Sequence, residues 1–354
     1  MRKGLLYIIL IFALFTSCEE YYKPDLEVGP GILVVESHVT NDPNQNYARL
    51  SLSENFYNSE PRDKIYGAKV DLIEVGGQTT NGFERTPGYF TFARTPVAGK
   101  KYVLRIAYQK NIYQSEQVTM PPLPSIDTLY TTHTVEKSYR TNVYGEPELV
   151  LTPGRDIKID APITKSLEYY RFTWRAIIQW HYDPPALAGP PPPAYYGWIS
   201  KYDRGIFNLA GPKEFSISEK VNNHTLLMLG YDSRLYLDSI TQIPDGWILI
   251  VDQYGIQEAS YKFHQKLNQQ FTAEGSLFDP IMSQATGNMH CVNDPTKKVL
   301  GFFDLNSYRQ SRFYLHLGNG EKGIVKQRRI NQFYEITGQG YLRGIRPPFW
   351  EGYN

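Results

Sequence analysis

Residues 47–53, YARLSLS, alternate strictly: Ala48, Leu50 and Leu52 share one face of an extended chain, and Tyr47, Arg49, Ser51 and Ser53 share the other. That period of two predicts a β-strand with one buried face. Similar short runs recur at ILVVESHVT (32–40), AKVDLIEV (68–75), GYFTF (88–92), KKYVLRIAY (100–108) and NIYQSEQVTM (111–120), separated by NDPNQN, Gly76-Gly77 and Gly99. Six or seven short strands in about 90 residues predict an immunoglobulin- or fibronectin-like β-sandwich over residues 31–124. The Cys…Trp…Cys spacing of antibody domains is absent, so this expectation rests on pattern. PPLP at 121–124 is a stiff boundary.

Beyond it, residues 125–354 predict a second β-rich domain. EYYRFTWRAIIQWHY (168–182) puts Phe172, Trp174, Ala176, Ile178, Trp180 and Tyr182 on one face, and Arg171, Thr173, Arg175, Gln179 and His181 on the polar one. Trp174 and Trp180 therefore read as core. A proline-rich loop, 183–197, follows, with six prolines that admit neither helix nor strand. Tyr195, Tyr196 and Trp198 at its end are a candidate contact surface, or simply the close of an insertion. DGWILIVDQYG (245–255) and VLGFF (299–303) read as strands. One helix, about 257–271, is predicted from Ala259, Phe263, Leu267 and Phe271 recurring every four residues, with that stripe laid on a sheet. The fold class is mainly β.

The N-terminus breaks the alternation. Arg2 and Lys3 precede an apolar run of eleven residues, Leu5 to Phe15, then Thr16, Ser17 and Cys18. The run is too short for a membrane-spanning helix and has the layout of a secretory signal, residues 1–17. Small residues directly before cysteine resemble the bacterial lipobox, which makes Cys18 the acylated first residue of the mature chain. Glu19 and Glu20 read as a surface-export signal or a solvated charge pair, at the head of a tether over 18–30.

Composition narrows the rest. Removing Arg2 and Lys3 leaves 35 basic against 36 acidic residues, so no nucleic-acid partner or polybasic membrane patch is indicated. Acyl chains at Cys18 would supply membrane attachment. With Cys18 acylated, Cys291 has no disulfide partner. The 28 tyrosines favour pleated, half-buried positions.

No residue set for catalysis stands out. His290 and Cys291 are adjacent, so on a strand they point opposite ways and make a poor nucleophile–base pair; Cys291 reads as a buried thiol. The seven histidines form no H-E-x-x-H or H-x-H, and no zinc site is predicted. Asp42, Asn44 and Asn46 alternate like a calcium loop but lack its glycine and closing glutamate, so an Asx-rich turn is expected. KQRRI (326–330) reads as a solvated face. No catalytic, cofactor or metal residue is assigned, and the chain reads as a non-enzyme. Paired carboxylates need only meet in space, which keeps a surface hydrolase as an alternative. Asp127-Thr128-Leu129 and Asp238-Ser239-Ile240 resemble O-glycan acceptor triplets, with Thr128 and Ser239 as acceptors.

The stretches SCEEYYKPDL, LVVESHVTND, AKVDLIEVGG, AGKKYVLRI, SIDTLY, GSLFDP, TGNMHCVNDP and KVLGFFDL together resemble the DUF4249 lipoproteins of Bacteroidota across nearly the whole mature chain. The resemblance implies a surface lipoprotein of the outer membrane, of a kind often encoded near TonB-dependent receptors. From that association comes the expectation of a non-catalytic accessory or binding subunit in nutrient uptake, with such a receptor as partner. The alternatives are a hydrolase of glycans or peptides, and a structural or adhesion protein of the envelope.

Overall fold

The computed structural model describes residues 31–53, 65–182, 189–190, 195–203, 206–212, 220–230, 246–272, 285–315 and 326–327. The signal segment and tether, Cys18, Glu19, Glu20 and Ser239 lie outside these residues, as does most of the proline-rich loop. The described chain is mainly β, as its alternation predicts.

The first nine strands are β1 (Leu33–Val39), β2 (Tyr47–Leu52), β3 (Lys69–Glu74), β4 (Thr79–Asn81), β5 (Phe83–Thr86), β6 (Tyr89–Thr91), β7 (Lys101–Tyr108), β8 (Asn111–Ser115) and β9 (Val118–Thr119). NDPNQN is the expected turn: Asp42 Oδ1 accepts from Asn44 N at 3.0 Å, and Asn46 Oδ1 accepts from Thr40 N at 2.6 Å. These strands form two sheets that share one buried cluster. Val35, Ala48, Leu50 and Phe90 come from one sheet; Leu72, Tyr102, Leu104 and Ile106 come from the other. Burying each of the larger aliphatic and Phe side chains contributes about 1.5–3 kcal/mol before chain entropy is counted.

Two later strands complete these sheets. β17 (Met289–Cys291) pairs antiparallel with β8, and β18 (Val299–Leu305) pairs parallel with β1. Residues 289–305 thus join strands of the first 124 residues, a pairing that a division of the chain at 124/125 does not anticipate. The sheet orders are β18-β1-β2-β6-β5 and β17-β8-β7-β3-β4, with β9 beside β7. Gly301 makes the parallel pairing possible: its φ is +99°, and a Cβ there would stand 1.8 Å from the Val35 carbonyl oxygen. As expected, Cys291 is buried while His290 is exposed.

The intervening chain builds a second pair of sheets. β10 (Thr128–Thr141), β11 (Pro147–Pro162) and β15 (Lys220–Gly230) form one. β12 (Tyr169–Tyr182), β13 (Tyr195–Tyr202), β14 (Asn208–Ala210), β16 (Gly246–Ile256), β19 (Ser307–Leu315) and β20 (Lys326–Gln327) form the other. Their common cluster includes Ile157, Ile159, Phe172, Leu249 and Val251, with Trp174 partly buried against it. Along β12 the predicted face is buried at Phe172 and Ala176 and half-buried at Trp174, but Ile177 on the other face is buried as well, and the side chains of Ile178, Trp180 and Tyr182 lie outside the described residues. β13 begins at Tyr195, so the stretch expected as loop through 197 is already paired with β12 at its end.

The helix, α1 (Glu258–Thr272), forms where expected but buries a different face. Ser260 and His264 are buried, whereas Phe271 is 70% exposed and Ala259 is also exposed. The predicted stripe survives at Phe263, which stacks on Phe302 at 4.6 Å. The helix has turned towards polar partners on β18. No helix among the described residues is long and apolar enough to cross a membrane.

Candidate functional site

β18 and β19 belong to different sheets yet are separated by Asn306 alone. Asn306 is fully buried, and its N–H donates to Val39 O at 2.9 Å. The proline boundary is fixed beside it: Ser307 Oγ donates to Pro122 O (2.6 Å), and Gln253 Nε2 donates to Ser125 O (2.9 Å). Asn41 exchanges two hydrogen bonds with the Tyr308 backbone, at 2.6 and 3.0 Å. Backbone polar groups at this crossing are paired, as burial demands.

Against the crossing sits a cluster of charge drawn from four elements. Asp304 on β18 is nearly inaccessible, and its Oδ2 lies 3.8 Å from His38 Nδ1 (β1), Arg171 Nη2 (β12) and His264 Nε2 (α1). Its Oδ1 accepts from Ser260 Oγ at 2.5 Å. The Arg171 guanidinium reaches both imidazoles, at 3.4 Å to His38 Nδ1 and 3.5 Å to His264 Nε2, and lies 4.6 Å over the Tyr254 ring. Burial alone would push the Asp304 carboxyl up. The Arg171 guanidinium and His38 outweigh it and hold the group well below the usual carboxylate range.

His264 goes the other way: burial pushes it down from its ordinary value, and Asp304 only partly offsets this. Its tautomer follows from geometry. Nδ1 lies 2.8 Å from the Ser260 carbonyl oxygen, which can only accept, so Nδ1 carries the proton. Nε2 then accepts from Arg171. This decides what Ser260 can do: its hydroxyl, 3.3 Å from a protonated Nδ1, finds no base there and donates to Asp304 instead. A serine, a histidine and an aspartate have converged, but not in the order that activates a nucleophile.

A cleft of about 200 Å³ opens beside the cluster, lined by Glu116, Thr119, Gln257, Glu258, Asn288 and Phe302 among others. That is below the ~300–1,000 Å³ of most small-molecule sites. Glu258, one of its two carboxylates, is ion-paired to Lys262 at 2.5 Å and more than half exposed. Among the described residues no group of three or more His, Cys, Asp or Glu is placed to hold a metal.

A family model described as "Domain of unknown function (DUF4249)" matches residues 19–312. The chain belongs to this family. No curated protein and no solved structure matches it. The DUF4249 match starts at the residue after Cys18 and ends within β19, so it takes in the charge cluster and every described strand except the end of β19 and β20.

Of the residues singled out in the DUF4249 sequence, those described lie on different strands. Thr128 is exposed at the start of β10. Tyr195, Tyr196 and Trp198 pair through their backbones with Tyr182, His181 and Gln179. Cys18, Glu19, Glu20 and Ser239 lie outside the described residues. The cluster was missed because its members are scattered over 38, 171, 260, 264 and 304. The one available signal was Arg171 on the polar face of a long strand.

Proposed function

We propose that this protein is a surface-exposed outer-membrane lipoprotein, anchored through acylated Cys18. In this reading it serves a TonB-dependent receptor in nutrient uptake as a non-catalytic accessory or binding subunit. The observation that carries the reading is the coincidence of two boundaries: the family match begins at Glu19, immediately after the cysteine of the lipobox-like motif. A homologous region starting at that point is what a mature chain cut before Cys18 would give. The non-catalytic part is supported by Ser260, whose hydroxyl is committed to Asp304 rather than to a base.

In this reading the first unit, expected to be of immunoglobulin type, is a spacer or docking module above the tether. The second carries recognition. Isolation of the native protein from detergent-solubilised outer membranes tests the partnership. Co-purification with a receptor barrel is expected, and recovery of the protein free of any barrel would count against it. Cys18→Ala should abolish palmitate labelling and leave the precursor uncut; persistent label would overturn the anchor.

A further inference from the structure

β10 and β11 form a long ribbon paired without interruption from Thr128↔Asp160 to Thr141↔Pro147. Near its base one face is core, since Leu129, Ile157 and Ile159 are buried in the second cluster. The register carries that same face outward as Val135 opposite Pro153, Lys137 opposite Leu151 and Tyr139 opposite Leu149. The other face carries Glu136 opposite Thr152 and Arg140 opposite Glu148. Among the described residues, β15 accompanies β11 only from Gly154 to Pro162, and β10 is an edge strand.

The outer half of the core face is therefore mostly apolar, and no described strand pairs beyond it. Exposure is 52% at Val135, 76% at Tyr139, 49% at Leu149 and 53% at Leu151, and at the tip 93% at Val143 and 85% at Tyr144. Contiguous apolar surface of this kind marks a contact.

We propose that the outer half of this ribbon is a docking element that inserts into a groove of a protein partner, one with an apolar floor and a carboxylate placed to meet Lys137. Lys137 selects that occupant: it is the only charged side chain on the outer half of this face and has no ion-pair partner among the described residues, so a second copy laid face to face would bring like charges together. Exposure continues round the tip at Val143 and Tyr144, which a concave partner covers together with the face and a flat one does not. A lipid surface would meet the tip first, and Glu146 and Glu148 stand there. The proposal does not depend on the partner's being a receptor barrel.

The test places a photo-crosslinking phenylalanine at Tyr139, and separately at exposed Phe271 on α1, in the full chain in its native membrane. A single heteromeric adduct is expected from position 139, at least tenfold above that from position 271. Lys137→Glu should lower its yield about tenfold, and reversing the partner's crosslinked carboxylate to lysine should restore it. An adduct with a second copy, no adduct, or indifference to Lys137→Glu would overturn the proposal. So would binding of the purified protein to mixed anionic and zwitterionic vesicles that is lost in Tyr139→Ser. An unchanged melting curve for each variant shows that the fold is intact. A partner other than a barrel leaves this surface standing and counts against the function proposed above. A barrel that co-purifies but yields no adduct does the reverse.

Discussion

Arg171 on β12 and Asp304 on β18 meet at 3.8 Å, which buries a cation of one pair of sheets against an anion of the other. Neither charge is accommodated without its neighbours, since isolated charges in a protein interior are costly. The contact, with His38, His264 and Ser260 around it, locks the two units together.

Arg171→Met should therefore cost about 3–5 kcal/mol, the range for removing one partner of a buried pair. Adding Asp304→Asn should recover part of the loss. Urea midpoints of the two single variants and the double variant measure this, and additive losses would mean that the charges act independently.

The two faces of α1 give an inverted expectation. Phe271→Ser, at an exposed aromatic, should change stability by less than about 0.5 kcal/mol. Ser260→Ala takes a donor from buried Asp304 and should cost about 1–3 kcal/mol. A larger loss at Phe271 than at Ser260 would contradict the orientation of the helix.

Asn288 bridges the first two sheets. Its side chain accepts from Phe303 N (2.8 Å) and donates to Phe303 O (3.0 Å), while its own carbonyl oxygen accepts from Glu116 N (2.9 Å). Asn288→Ala should leave two buried backbone groups unpaired and cost about 2–4 kcal/mol by denaturant melting. Asn288→Asp should also destabilise, because a carboxylate cannot donate to Phe303 O.

Gly301→Ala should be more severe, about 3 kcal/mol or more, since both the positive φ and the Val35 carbonyl oppose a Cβ. Cys291, buried on neighbouring β17, reports on it. Its reaction with a thiol reagent should accelerate sharply in the variant, and an unchanged rate would show that β18 stays seated on β1.

His224 makes the fold acid-sensitive. Burial pushes it down to about 4, and its Nε2 is 2.5 Å from Asn208 Oδ1. The unfolded chain takes up this proton near pH 6.5 and the native state resists it. The contribution is full above pH 6.5 and is lost as pH falls towards 4, at most about 3 kcal/mol. Burial lowers His264 in the same sense. Urea midpoints between pH 7 and pH 4 should fall for the parent and less steeply for His224→Gln.

Much of the architecture could be read locally. Alternation located β1, β2, β3, β6, β7 and the buried face of β12, because a period of two is imposed by the pleat of each strand itself. The Asx-rich turn at 41–46 and the existence of α1 are likewise local, and the lipobox-like layout around Cys18 is a linear signal. The β10–β11 ribbon was not anticipated. Its outer half sets apolar residues opposite polar ones on a face with nothing above it, so the buried-face signal fades along the strand.

Partner choice was not legible in any window. Nothing in VLGFFDL says that it will lie parallel to β1 rather than beside the strands that precede it. The polar face of β12 looked wet because arginine and threonine usually are. Arg171 is buried because Asp304, His38 and His264 arrive from distant segments to compensate it, and the same compensation turns α1 so that Ser260 and His264 face inward. The sequence alone determined the strands of the first unit, the Asx-rich turn and the presence of the one helix, since those follow from short-range backbone and patterning constraints. Tertiary structure alone decided which sheets they join and where the buried charge lies, since both depend on desolvation that only the assembled fold can offset.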